Sequence, residues 1–153
     1  MNMVTKQALF QIGEEVYGFD IMDVSTVEKY IPIENAANKP KNVKGIIRLR
    51  GDVLPVYSLR SKFNLEEKEP DQDTRLIITN SNGLMIAYEV DRILGIQSLE
   101  LERLNEVPPI IMSRNTSYLK KITNYGGTLV ALMDHEGILS EEELDSLKKI
   151  LGR

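Results

Sequence analysis

Acid–base chemistry has one candidate side chain in this sequence: His135, in Met133-Asp134-His135-Glu136-Gly137, the only histidine among 153 residues. A general base needs an orienting partner and a pocket, and this imidazole follows a strand-like run in what reads as an exposed loop. One histidine and no cysteine exclude the common zinc sites and, with them, disulfides and thiolate nucleophiles. The carboxylates cluster at 66–73 and 141–145, where solvated runs are expected. A glycosidase-like pair would have to meet in space, and no aromatic-rimmed cleft is indicated. Asp71-Gln72-Asp73-Thr74 lacks the glycine and the distal glutamate of a calcium loop. No G-x-S-x-G elbow holds a serine. No phosphate-binding G-x-x-x-x-G-K-[ST] loop is present, and Tyr125-Gly126-Gly127-Thr128 is too short to replace one. The residue types therefore imply no catalytic residue, no cofactor and no metal.

Composition narrows the partners. The formal net charge is -4, and aromatics make up 6%. Nucleic-acid binders carry a basic stripe, and none stands out, so no nucleic acid is expected. An acidic chain has little attraction for an anionic membrane surface. No apolar run approaches the ~18 residues of a membrane span, and Met1 to Phe10 has no export-signal pattern. A cytoplasmic protein without direct membrane insertion is expected. Arg50-Gly51-Asp52 reads as a tight turn, because glycine allows positive φ and Asp is common beside it; an adhesion role would require export.

The elements that would carry any site are short strands. Residues 7–21 read as a hairpin, with Ala8, Phe10 and Ile12 on one face, Tyr17, Phe19 and Ile21 on one face of the return strand, and a turn at Gly13-Glu14-Glu15. Val24 to Ile33 is a third apolar run. Val43 to Leu59 is a second hairpin, in which Pro55 argues for an edge position or a bulge. The acidic run 64–73 reads as a solvated connector between two halves of the fold. Residues 74–96 give a third hairpin with Asn82-Gly83 at the turn, and Leu84, Ile86, Tyr88 and Val90 alternate along its return. The chain is irregular around Pro108-Pro109, and residues 126–134 form a last strand. Residues 140–151 are a helix with a Ser140/Glu143 capping box and an apolar face of Leu144, Leu147, Ile150 and Leu151, expected to pack on a barrel. Turn signals every ~8–12 residues point to a β-barrel or sandwich.

Four segments, in order, carry a resemblance. Val43 to Leu59 is similar to a hairpin with a G-[VI]-[IV]-N-L-R-G core and a [VI]-P-[VI] return. Leu9 to Val24 resembles the same family's first two strands, Glu89 to Ile96 its V-D-x-[VI] segment, and Tyr118-Leu119 with Leu129 to Asp134 its closing strands. The chain resembles the CheW family, adaptors of bacterial chemotaxis arrays. The resemblance implies a mainly β fold: two five-stranded SH3-like β-barrels around a shared hydrophobic core, with a C-terminal α-helix, in one domain over 1–153. It implies a non-enzymatic adaptor coupling the cytoplasmic tips of chemoreceptors to the regulatory domain of the histidine kinase CheA. On that resemblance, kinase contact falls at Thr26, Val27, Arg50, Gly51 and Asp52. Receptor contact falls at Ile21, Val24 and Ile93, in a groove between barrels.

The departures bear on partners. The family's Asn before L-R-G is Arg48, the Asp of its V-I-D-L segment is Ser58, its common third-strand Glu is Thr26, and the small Gly after Tyr-Leu is replaced, with Lys120-Lys121 following. A docking face less negative than the family's is expected, as in an accessory scaffold serving a different receptor or kinase. A small β-barrel ligand or nucleic-acid module is the reading from another class; it would need a basic groove with exposed aromatics.

Overall fold

The computed structural model describes residues 3–81, 83–109 and 118–152. β1 (Val4–Ile12) and β2 (Glu15–Asp20) form the first hairpin, in register from Gln7↔Asp20 to Ile12↔Glu15, with Gly13 turning at φ 60. Tyr17 and Phe19 lie on β2, but Ile21 does not. It opens a 3-10 turn, Ile21–Asp23, because the Asp20 carboxylate accepts the Met22 N–H at 2.9 Å and ends the strand. The chain then enters β3 (Val24–Lys29), followed by the hairpin of β4 (Val43–Leu49) and β5 (Asp52–Ser58) and the short α1 (Leu59–Lys62). β6 (Arg75–Ser81) and β7 (Leu84–Val90) make the third hairpin. Asn82 lies outside the described residues, and Gly83 has φ 78. β8 (Arg92–Glu100), β9 (Asn105–Glu106), β10 (Leu119–Tyr125), β11 (Thr128–Met133), α2 (His135–Ile138) and α3 (Glu141–Ile150) complete the chain. Part of the run expected to be irregular, 110–117, lies outside the described residues.

Two sheets result, in the orders β8-β1-β2-β11-β10-β9 and β3-β6-β7-β5-β4. The ends of the chain share the first sheet and its middle makes the second. β2 pairs with β11, and β5 with β7, in parallel; the other pairings are antiparallel. This is the mainly β fold of two SH3-like barrels with a C-terminal helix; the first sheet has a sixth strand only through the two-residue β9. The acidic run 64–73 does not join two halves. It leads from α1 to β6, so it connects strands of one sheet. Pro55 does not mark an edge, since β5 lies between β4 and β7. It sits opposite Ile46, whose N–H and C=O both bond Glu34 on the far side. That alternation aims the nitrogen of Pro55 away from β4, just before pairing with β7 begins at Val56, so the missing N–H leaves no gap in the ladder.

Side chains divide into three cores. Leu9, Leu99, Val130 and Leu132 fill the six-stranded barrel; Ile47, Leu54, Val56, Leu76, Ile78 and Ala87 fill the other. Between the barrels lies a larger shared core that includes Phe10, Phe19, Tyr57, Ile77 and Tyr88. β7 shows the division, with Leu84, Ile86, Tyr88 and Val90 facing the shared core and Met85 and Ala87 the barrel interior. Edge and tilted ring contacts run Phe10–Phe19–Tyr88–Tyr57 from one barrel to the other at 5.1, 5.5 and 5.7 Å. α3 caps this core with fully buried Leu147 and half-buried Leu144, Ile150 and Leu151. Its capping box is formed: Ser140 Oγ accepts the Glu143 N–H, and the Glu143 carboxylate accepts the Ser140 N–H, both at 3.1 Å. Among the described residues no helix is long and apolar enough to cross a membrane.

Candidate docking surfaces

The turn between β4 and β5 is two residues long, Arg50-Gly51, between the paired Leu49 and Asp52. Both turn residues have positive φ, 48 and 87, the geometry whose twist suits an antiparallel hairpin. Glycine adopts it freely, whereas arginine there costs about 1–2 kcal/mol. The guanidinium of Arg50 donates to both carboxylate oxygens of Glu28 on β3 at 3.2–3.4 Å. β3 and β4 are the two edges of the five-stranded sheet, so this pair helps close the barrel. Glu28 is held below the ordinary glutamate value, first by the neighbouring Thr26 hydroxyl and then by Arg50. The Thr26 hydroxyl is buried and, among the described residues, has no hydrogen-bond partner of good geometry.

Of the expected kinase contacts, Val27, Arg50, Gly51 and Asp52 are exposed around this turn. Thr26 is not: it points to the barrel side of β3, opposite Ile78, with its hydroxyl buried. Two residues went unnoticed in the sequence. Glu28 supplies the carboxylate that position 26 lacks, two residues on and on the same face of the strand. Val53, 38% exposed beside the turn, joins the 42% exposed Val27 as an apolar element of the surface. Period-two alternation in β3 was the available signal for Glu28.

The expected loss of negative charge from this face does not follow from Ser58, which is buried at the end of β5 and donates to Glu67 at 2.5 Å. Arg48 is paired with Glu34 at 2.9 Å, both exposed. Lys121 is paired with Glu106.

Ile21, Val24 and Ile93 are half-buried, and Val24 and Ile93 pack against the shared core. They are not a free-standing apolar strip. Ile21 and Val24 bracket the 3-10 crossover from one sheet to the other, and the most exposed side chain there is Met22, at 86%, which no local sequence signal marks. His135 also departs from expectation. It is buried, not in an exposed loop, because α2 folds it back toward the crossover. Its Nδ1 lies 3.4 Å from Asp23 Oδ2 without hydrogen-bond geometry.

A polar link between the barrels is added to the shared core by Asp91, at the bend between β7 and β8. Its carboxylate accepts Arg60 Nε at 2.9 Å, Arg60 Nη2 at 2.7 Å and the Gly13 N–H at 2.7 Å. Its own N–H donates to the Gln11 carbonyl at 3.0 Å. Gly13 belongs to the first barrel and Arg60 to the second, so one carboxylate clamps both. Burial pushes the Asp91 carboxyl up, but Arg60 and Gly13 outweigh burial and hold it below the ordinary aspartate value. Nearby, Lys44 donates to Glu89 at 2.9 and 3.2 Å. Burial works against the Lys44 ammonium, yet Glu89 and Glu67 hold its pKa above the ordinary value; burial of Glu89 raises its own despite Lys44. The two shifts favour opposite charge states of the pair, and the two short contacts identify an ion pair. Among the described residues no group of three or more His, Asp or Glu side chains is arranged to hold a metal ion.

The sequence and the fold match a known family. The CheW-like domain matches residues 7–143. The chain belongs to the CheW family. Among its CheW relatives, the chemotaxis protein CheW of Klebsiella aerogenes is 32% identical over 136 residues, covering 89% of this chain and 82% of the relative. The CheW of Treponema pallidum is 26% identical over 145 residues, covering 92% and 85%. Among solved structures, the scaffolding protein TtCheW from Thermoanaerobacter tengcongensis superposes with a TM-score of 0.83 at 25% identity, over 94% of this chain and 92% of that one. This CheW-family protein is a chemotaxis coupling adaptor, and in CheW terms Asp91 is the Asp of the V-D-x-[VI] segment while Arg50 is the arginine of L-R-G.

Proposed function

We propose that the protein is a cytoplasmic, non-enzymatic bridge, recruited to receptor arrays, between the regulatory domain of a CheA-type histidine kinase and the signalling tip of a chemoreceptor. The kinase face is the rim of the five-stranded barrel: Val27, Arg50, Gly51 and Asp52, extended by Val53. Thr26 and Glu28 act beneath it, Glu28 by holding the Arg50 guanidinium. The receptor face is the crossover with Ile21, Met22 and Val24, together with Ile93. The observation that carries this reading is the Arg50–Glu28 contact, which joins the turn to β3 with the cation mostly exposed, on strands that also carry the exposed Val27 and Val53. Interfaces favour arginine with apolar neighbours. Each contact is modest, and simultaneous engagement of several sites supplies the avidity.

The test is titration calorimetry with a purified kinase regulatory domain. Arg50→Glu and Val27→Glu are expected to weaken binding at least tenfold with an unchanged circular dichroism spectrum. Unchanged affinity in both would remove the rim from the interface.

A further inference from the structure

His135 is a buried titratable side chain with no task in the account so far. It is 6% exposed, and among the described residues neither ring nitrogen has a hydrogen-bond partner. Nδ1 lies 3.4 Å from Asp23 Oδ2 and Nε2 3.9 Å from Glu136 Oε1. A neutral imidazole in this position forgoes bonds it would make in water; a protonated one has carboxylates at both nitrogens. Asp23 is the last residue of the 3-10 turn that begins at Ile21 and leads directly to Val24.

We propose that His135 is a positioning residue for receptor contact: when protonated it holds Asp23 and fixes the Ile21–Val24 crossover, so that affinity for the receptor tip rises as pH falls. The proposal rests on the assignment of that crossover to the receptor. Among the described residues the charged groups paired with the ring are carboxylates. The 3-10 turn contributes Asp23, with Asp20 engaged by the Met22 N–H. α2 contributes Glu136, and its N-cap Asp134 accepts the Glu136 N–H at 3.1 Å. From β7, Tyr88 donates its hydroxyl to the His135 carbonyl at 3.3 Å, and burial keeps that phenol protonated. α3 contributes Glu143, which acts on Tyr88 and is hydrogen-bonded to Asn42 and Ser140. β6 faces this region with the neutral Thr79. Among the described residues no lysine or arginine is ion-paired with Asp23, Asp134, Glu136 or Glu143, so these carboxylates are what sets the favourable field against the cost of burying an imidazolium. Imidazole is the side chain whose ordinary titration lies between pH 5 and 8, and this chain has one.

The test measures binding of a soluble helical-hairpin fragment of a chemoreceptor tip from pH 5.5 to 8.5, beside an NMR titration of the single histidine. Wild type is expected to bind about fivefold more tightly at the low end, with a midpoint matching that of the imidazole. Asp23→Asn and His135→Gln should flatten the profile, and Asp23→Asn should lower the imidazole midpoint; His135→Phe, which keeps a planar aromatic ring without a titratable nitrogen, covers the case in which Gln fails to fold. A flat wild-type profile, a profile that survives these variants, or an imidazole midpoint unmoved by Asp23→Asn overturns the proposal. Ile21→Glu separates the two layers. If it leaves receptor binding intact, the receptor assignment fails. If it abolishes binding and the wild-type pH profile is flat, the role of His135 alone fails.

Discussion

Replacing Asp91 by Asn removes the charge of the clamp between the barrels and leaves one carbonyl oxygen where two oxygens accept three hydrogen bonds. Hydrogen bonds to charged groups contribute about 1.5–3 kcal/mol each, but they share one carboxylate and do not add. Both side chains are under a third exposed, Arg60 at 19% and Asp91 at 16%, so screening by solvent is partial. Breaking a fully buried pair costs about 3–5 kcal/mol, and this pair sits short of that limit. A loss of about 2–4 kcal/mol follows, equivalent to roughly 6–12 °C in Tm for a chain of this size. Urea unfolding followed by far-ultraviolet circular dichroism measures it. The pH dependence has a fixed sign. The folded pKa of Asp91 is lowered, so its contribution is complete above the unfolded carboxylate value, near ~3.9, and is lost as pH falls through the folded value. The gap between wild type and Asp91→Asn should therefore be full at neutral pH and close in acid below that unfolded value. A variant within about 0.5 kcal/mol of wild type at pH 7, the scatter of ordinary surface changes, or a gap that persists in strong acid, would refute the clamp.

Arg50→Gly should leave stability within about 1 kcal/mol of wild type, since relief of the left-handed backbone offsets an exposed ion pair, while kinase-domain affinity falls; calorimetry beside urea melts separates the two. Gly45→Ala should prevent normal folding, or cost at least about 3 kcal/mol of strain, because an added Cβ would collide with the Glu34 carbonyl oxygen at φ 156; soluble yield and Tm report it. Leu147→Ala should cost about 2–5 kcal/mol as a buried truncation, and faster amide exchange along α3 would show the helix released. Ser140→Ala should cost about 1 kcal/mol through loss of the N-cap, read from the urea midpoint.

Hairpins and the last helix were legible because their signals are local. Alternation in β7, glycine at the turns and the Ser140/Glu143 box each depend on residues a few positions apart. What escaped depended on pairing across the chain. Nothing local says that Ser58 and Glu89 pair on neighbouring parallel strands, or that the run 64–73 returns to the same sheet. His135 read as exposed because a polar residue after a strand usually is; its burial follows from α2 folding back against the crossover. At the candidate surface, Arg50 and Gly51 were readable from the turn. The alternation of β3 gave the face of Glu28 but not its role, which lies in a partner 22 residues away. Asp91 carried a motif but no visible reason until Gly13 and Arg60 converged on it.

The central claim is that one small barrel pair holds two partners at once. Sedimentation velocity on a mixture of kinase regulatory domain, receptor-tip fragment and this protein tests it directly. The account predicts a three-component species that is absent when this protein is omitted and lost with Arg50→Glu. Partners that displace one another, or a complex of kinase and receptor fragment that forms equally well without it, would contradict the account.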